Sequence, residues 1–127
     1  MPAGDVSAAP AKKPRTTMRD LHAGVGARKL LSNRRLAESF TFEVAGLSYA
    51  CTVGRFPDGS IGELFLNNHK SNSSADTNAR DAAITFSIAV QHGADPEVIR
   101  RALCRDSRGQ ASGPLGAALD IIAEGER

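Results

Sequence analysis

Apolar and polar residues alternate along two consecutive segments in the first half of the chain. Phe40, Phe42 and Val44 are separated by polar residues, and a period of two is typical of a strand with one buried face. Ala45 and Gly46 then supply a tight turn. The same alternation returns in LSYACTVGRF, which predicts a second strand whose apolar face carries Leu47, Tyr49, Cys51 and Val53.

A second reversal follows at Pro57, Asp58 and Gly59, because proline presets φ and Asp-Gly tolerates positive φ. The next apolar segment, Ile61 to Leu66, predicts a third strand. The three strands form an antiparallel meander with one face that needs cover. Phe40 to Val44 would be an exposed edge strand, open to pairing with a partner or with a second copy.

The C-terminal half changes to helical periodicity. The run NARDAAITFSIAVQHG is apolar nearly all round its second half, which predicts a buried helix that ends at Gly93, with Asp76 near its start. Asp95 as N-cap and Pro96 at the first helical position indicate the start of a second helix. The apolar stripes predicted to face the core are Val98, Ala102 and Leu103 in the second helix, and Leu115, Ala118, Leu119 and Ile122 in a third helix that begins near Pro114.

These elements predict an α+β fold, a three-stranded antiparallel meander covered on one face by two to three helices. A chain of 127 residues fits one small domain, which we place at residues 37–127. Residues 1–36 form a basic arm. Its first 17 residues cannot bury enough apolar surface to order, and residues 18–36 predict a short helix or an extended arm laid over the domain.

The positive charge of the chain is concentrated in this arm. The first 35 residues hold eight Lys or Arg against two acidic residues, whereas the remaining 92 residues hold eight against 12. Such an arm is either a solvated extension or a contact for nucleic acid or an acidic partner surface. The residues that would make these contacts are Lys12, Lys13, Arg15, Arg19, Arg28, Lys29, Arg34 and Arg35.

The two cysteines, Cys51 and Cys104, lie far apart and lack the spacing of a disulfide framework. Together with His69 and His92 they include zinc-ligand types, but the four residues fall on separate elements without close pairs. We therefore expect no metal, no cofactor and no catalytic residue. The N-terminus has no apolar leader and no segment approaches about 20 apolar residues, so we expect a cytoplasmic protein without a membrane span.

One polar segment has potential as a binding site. Lys70, Ser71, Ser73 and Arg80 surround the start of the predicted buried helix, where free backbone N–H groups and the helix dipole can hold an anion such as phosphate. The alternative is structural: Ser73 or Ser74 caps the helix, Lys70 is solvated and Arg80 pairs with a neighbouring acid.

A series of short motifs in this order and spacing resembles the TSCPD domain. The resemblance covers about Phe40 to Ala123 and is carried by Tyr49-x-x-Thr52, Gly54-Arg-Phe-Pro-Asp-Gly59, Gly62-Glu-Leu-Phe65, Lys70-Ser, Ala79-Arg-Asp-Ala-Ala83, Ala89-Val-Gln-His-Gly93, Pro96-Glu-Val-Ile-Arg100 and Ala111-Ser-Gly-Pro-Leu-Gly116. The Thr-Ser-Cys-Pro-Asp string that gives the domain its name does not occur in this chain.

The TSCPD domain is best known at the C-terminal end of adenosylcobalamin-dependent (class II) ribonucleoside-diphosphate reductases. The resemblance implies a non-catalytic accessory module of ribonucleotide reduction, whose partner is a reductase or another protein. A chain of this length cannot house the reductase barrel, its essential cysteines or its cobalamin site, so the resemblance assigns no catalytic residue here. The alternative is a small nucleic-acid-associated protein that binds through the arm. The oligomeric state stays open.

Overall fold

The sheet has three strands in the order β1-β2-β3, and each neighbouring pair is antiparallel. Three helices accompany it, which confirms the α+β meander expected from the sequence. The computed structural model describes residues 27–126. Its elements are β1 (Ala37–Val44), β2 (Leu47–Arg55), β3 (Ile61–Asn68), α1 (Ser74–Gln91), α2 (Pro96–Ala102) and α3 (Pro114–Gly125).

Both hairpins form at the predicted turns. Ala45 and Gly46 have φ values of 54° and 77°, and positive φ at both central residues of a two-residue loop matches the twist of the flanking strands. In the second turn the Asp58 carboxylate accepts hydrogen bonds from the Ser60 N–H at 2.9 Å and from the Ser60 hydroxyl at 2.6 Å. The turns fix the register, so that Phe42 lies opposite Tyr49.

One face of the sheet packs against the helices and forms the core. The alternation in β2 and β3 places small and branched apolar side chains on this face, and α1 and α3 supply the opposing layer. The other face is mostly polar, as the alternation predicts. The buried core consists of Tyr49, Cys51, Val53, Leu64, Leu66, Ala79, Ala83, Phe86, Val90, Ala118, Leu119 and Ile122.

Helix α1 ends where the sequence indicates, but it begins at Ser74, before the run NARDAAITFSIAVQHG, and it is not buried all round. Ser73 is the N-cap, and Gly93, with φ of 104°, directly follows the C-cap residue. Ile84 and Ile88 are 54% and 44% exposed, so the prediction of a buried helix was wrong for this face. Because α1 packs mainly on β3, at one side of a small sheet, only part of its circumference meets other elements.

The predicted core stripe of α2 was also wrong in part. Val98 and Ala102 are exposed, whereas Ile99 and Leu103 pack against the core. Residues 99 and 103 are four positions apart and share one face of a helix, whereas the predicted set combined two faces. In a helix of seven residues the apolar pattern is too short to decide which face turns inward.

Residues 27–36 cross the domain without regular secondary structure, and we call this segment the strap. The Lys29 N–H donates to the Gln91 carbonyl at 2.7 Å, and the Lys29 ammonium lies 4.2 Å from the centre of the Phe56 ring. Leu31 packs so closely over Gly62 that a Cβ at Gly62 would lie 2.6 Å from it. The absence of a side chain at Gly62 thus makes room for the strap.

Candidate functional site

The outer edge of β3 is closed by polar side chains of α1. The Leu64 N–H donates to the Ser87 hydroxyl oxygen at 2.8 Å. The same hydroxyl lies 3.1 Å from the Leu64 carbonyl and 2.8 Å from the Ala83 carbonyl, so its single proton is shared between the two acceptors. A buried serine thereby serves both backbone groups of one edge residue, which would otherwise be desolvated without partners.

Two further side chains complete the closure of this edge. The Asn68 N–H donates to Asp76 Oδ1 at 2.9 Å, and Gln91 Nε2 donates to the Gly62 carbonyl at 2.9 Å. Asp76, like Ser87 and Gln91, is buried. Helix α1 therefore uses its buried polar groups to satisfy the free backbone of β3, and the sheet cannot grow on that side.

The outer edge of β1 has no such cover. In the described part of the chain β1 has β2 as its sole strand neighbour, and no described side chain hydrogen-bonds to its outward backbone groups. The Arg55 N–H donates to the Leu36 carbonyl at 3.0 Å, and pairing alternates along an antiparallel strand. We infer that the even-numbered residues of β1 bond to β2. The backbone groups of Ser39, Thr41 and Glu43 then face outward.

The core-facing side of β1 is also only partly covered. Phe40, Phe42 and Val44 are half-buried, and Phe42 stacks on Tyr49 with ring centres 5.7 Å apart. Between β1 and α3 runs a groove of about 410 Å³, lined by Phe40 and by the exposed Ile121 among others. β1 thus combines free backbone groups with accessible aromatic surface.

The predicted anion site at the start of α1 already contains a carboxylate. Asp76 Oδ2 accepts from the Asn72 N–H at 3.2 Å and lies 3.7 Å from an Arg80 nitrogen. The backbone N–H of Asn68 holds the pKa of Asp76 below its ordinary value of 3.8. Because this negative charge occupies the helix start, the geometry favours the structural alternative, with Ser73 as cap.

The remaining two residues of that predicted site stay outside the cluster. Lys70 and Ser71 are exposed, and the Lys70 carbonyl accepts from the Ser73 hydroxyl at 2.7 Å. Ligand binding at these residues stays a prediction.

Three of the basic residues predicted to contact nucleic acid or a partner instead tie the strap to the domain. Arg28 donates to Gln91 Oε1 at 2.6 Å, Arg35 pairs with Glu63 at 2.6 Å, and Lys29 makes the contacts described above. Arg34 is exposed. Lys12, Lys13, Arg15 and Arg19 lie outside the described residues, so the nucleic-acid alternative stays a prediction that rests mainly on them.

A cleft of about 490 Å³ between α2, α3 and the β2–β3 turn is lined by Glu97 and Arg100, among others, and further ion pairs of these two residues lie beside it. Asp120 accepts from Arg100 at 2.9 Å and from Arg105 at 2.8 Å, and Glu97 pairs with Arg100 and Arg101. Hydrogen bonding from Arg100 lowers the pKa of Glu97 to about 2. These carboxylates are held ionised by their partners, so the arrangement stabilises the cleft and does not poise an acid or base near neutral pH.

The cysteines do not form a reactive site in the described range. Burial raises the pKa of Cys51 to about 12, so its thiol stays protonated and unreactive at neutral pH. Cys104 is exposed. Within residues 27–126 no group of three or more His, Cys, Asp or Glu side chains is placed to hold a metal ion, and none of the helices there has the length and apolar character needed to span a membrane.

An apolar groove of about 450 Å³ opens between the three helices, on a different part of the surface from β1. Asp81 and Thr85 of α1 stand at its margin and are exposed. A groove of this size accepts several apolar side chains of a partner segment. The apolar residues that line it are Ala82, Phe86, Ala89, Ile99, Leu103 and Leu115.

Sequence reasoning missed both the closed edge and this groove. A signal for the edge was present, because Ser87 and Gln91 are polar residues four positions apart within an otherwise apolar run, and such spacing puts both on one helix face.

Comparison of the chain with protein-family models, with curated proteins and with solved structures returns no match.

Proposed function

We propose that this chain is a non-catalytic accessory module of ribonucleotide reduction, which binds an apolar segment of a reductase in the groove between α1, α2 and α3. The observation that carries the proposal is the groove itself, about 450 Å³ of open space with an almost wholly apolar lining. Recognition grooves for amphipathic segments have this character. The proposal places the protein with its partner in the cytoplasm.

The polar groups of the described residues support a binding role over a catalytic one. Ser87, Gln91 and Asp76 are engaged by the backbone of β3. Arg100, which lines the cleft of about 490 Å³, and Asp120 neutralise each other. A catalytic site needs polar groups directed at a substrate with pKa values suited to proton transfer, whereas these groups are directed at their own fold.

The reductase as partner rests on the resemblance to the TSCPD domain. The groove adds a chemical expectation about the segment that binds. Because Ile99, Leu103 and Leu115 line the groove, we expect apolar side chains in the segment that binds there. Asp81 at the margin favours a basic residue beside them.

The test is the binding of an adenosylcobalamin-dependent reductase that lacks its own domain of this type. We expect the wild-type chain to bind, and Ala89→Arg to weaken the complex at least about tenfold, because the long charged side chain fills the groove. Ala50→Arg is the matched control, since Ala50 is exposed on the outer face of the sheet. Surface plasmon resonance with immobilised reductase measures both, after circular dichroism has shown that the variants fold.

Two results would count against the proposal. One is that the wild-type chain does not bind the reductase at all. The other is that Ala89→Arg and Ala50→Arg bind equally well, which would leave the accessory role standing but remove the groove from it.

A further inference from the structure

We propose that the free edge of β1 pairs with β1 of a second copy of this chain, antiparallel across a two-fold axis at Thr41. The pairing joins two three-stranded sheets into one continuous sheet of six strands. It is independent of the proposed function, because the groove between the helices lies on another part of the surface.

The two edges of the sheet differ in how they are covered. Three buried side chains of α1 close the edge of β3, while the edge of β1 is left open along eight residues in the described range. Exposed edges are normally blunted by charged side chains, especially lysine, by proline or by a bulge. β1 contains no lysine or proline, and its pairing with β2 is regular throughout. Of its two charged residues, Glu38 is neutralised by an ion pair with Arg55 and Glu43 is the one left on the outer face.

The strand β1 is complementary to itself. An axis at Thr41 brings the outward backbone groups of Ser39, Thr41 and Glu43 opposite those of Glu43, Thr41 and Ser39 of the second copy. All three residues can then exchange main-chain hydrogen bonds, as an isologous contact requires. Glu43 faces a serine hydroxyl rather than another carboxylate, so no like charges stand directly opposite.

The core-facing side of β1 also finds partners in the second copy. The same axis places Phe40 opposite Phe42 of the second copy, twice over, and cross-strand aromatic pairs are among the most favourable. Val44 of the second copy comes opposite Glu38, beside the groove of about 410 Å³ that Phe40 and Ile121 line. The half-buried aromatic surface of each copy thereby finds apolar neighbours in the other.

A second copy fits this edge better than an unrelated partner. A foreign strand would need its own alternation of apolar and polar residues in the same register, whereas a second copy supplies the matching strand at every encounter. A helix would leave the outward N–H and C=O groups of β1 unpaired. The occupant of this edge is therefore β1 of another molecule of this protein.

The test is the mass of the full chain in solution, measured by analytical ultracentrifugation from about 1 to about 100 µM. We expect the wild type to reach twice its mass of 13.4 kDa. Thr41→Pro removes an N–H that points away from β2, so it should abolish the dimer and leave the single copy folded. Thr41→Val keeps the N–H and should stay dimeric.

Thr41→Lys is a second variant in case the proline disturbs the strand. It places two ammonium groups against each other at the axis, and should raise the dissociation constant at least about tenfold. Its effect should shrink at high salt, which a folding defect would not show.

The following results would overturn the proposal. The wild type stays monomeric at about 100 µM, or both Thr41→Pro and Thr41→Lys dimerise as tightly as Thr41→Val. A chain that dimerises only after removal of residues 1–26 would show that this segment occupies the edge instead. Reductase binding is measured separately, so a monomer that binds the reductase refutes the pairing alone, and a dimer that does not bind it refutes the accessory role alone.

Discussion

Leu64→Ala is expected to lower the free energy of unfolding by about 3 to 5 kcal/mol. Leu64 is 1% exposed and lies at the centre of the core, opposite Val53 in the sheet. Truncation removes buried methyl groups and leaves a cavity, and the close-packed layer around it collapses only in part. For a domain of this size the loss is a large fraction of the total stability.

The measurement is urea unfolding followed by circular dichroism, since the chain contains no tryptophan and one tyrosine. Wild type and variant are compared at the same protein concentration, because a dimer gains apparent stability from mass action. Phe65→Ala is the control. Phe65 is the next residue along β3 and is 50% exposed on the outer face, so its truncation should cost less than about 1 kcal/mol. Equal losses at the two positions would mean that the register of β3 is wrong.

Ser87→Ala is expected to lower the free energy of unfolding by about 1 to 3 kcal/mol. The substitution deletes the one acceptor that the structure gives the Leu64 N–H and also removes the hydroxyl that contacts the Leu64 carbonyl. Both backbone groups are then buried without a protein partner. Alanine is the better helix former by a few tenths of a kcal/mol, so helix propensity alone would predict a small gain in stability rather than a loss.

Thr85→Ala serves as the matched control for this prediction. Its hydroxyl also bonds to a carbonyl of the same helix, that of Asp81 at 2.9 Å, but the residue is exposed. Water can replace that bond, so the change in unfolding free energy should stay within about 0.5 kcal/mol. If Ser87→Ala proved as stable as Thr85→Ala in the same unfolding experiment, the hydrogen bonds of Ser87 to the edge of β3 would contribute nothing to stability.

The elements with strong local signals could be predicted from the sequence. The alternation around Phe42 and Tyr49 specifies a strand by itself, and the Ala45-Gly46 loop fixes the register with its neighbour. The N-cap of α2 at Asp95 could be predicted for the same reason. Its carboxylate lies directly before Pro96 and accepts from the Glu97 N–H at the start of the helix. These features depend on residues close together in the chain.

The features that escaped prediction depend on how distant elements meet. In the sequence Ser87 looks like any other polar helix residue, and its role appears only when α1 packs along the edge of β3. Ile84 has the pattern of a core residue, but the sheet is too narrow to cover it. At the start of α1 the sequence leaves an anion site and a structural cap as alternatives, and the contact that favours the cap, Asp76 accepting from Asn68 eight residues earlier, depends on how α1 meets β3. The sequence pattern identifies the candidate residues, but tertiary packing determines which of their polar groups remain without a partner.

Amide hydrogen exchange at the two sheet edges can show whether the β3 edge is closed by α1 of the same chain and the β1 edge only by a second copy. In a dilute sample the N–H groups of Leu64 and Asn68 should exchange slowly and that of Thr41 fast. In a concentrated sample Thr41 should become protected while Leu64 stays unchanged. Protection of Thr41 that equals that of Leu64 in the dilute sample, or that does not rise with concentration, would contradict the account.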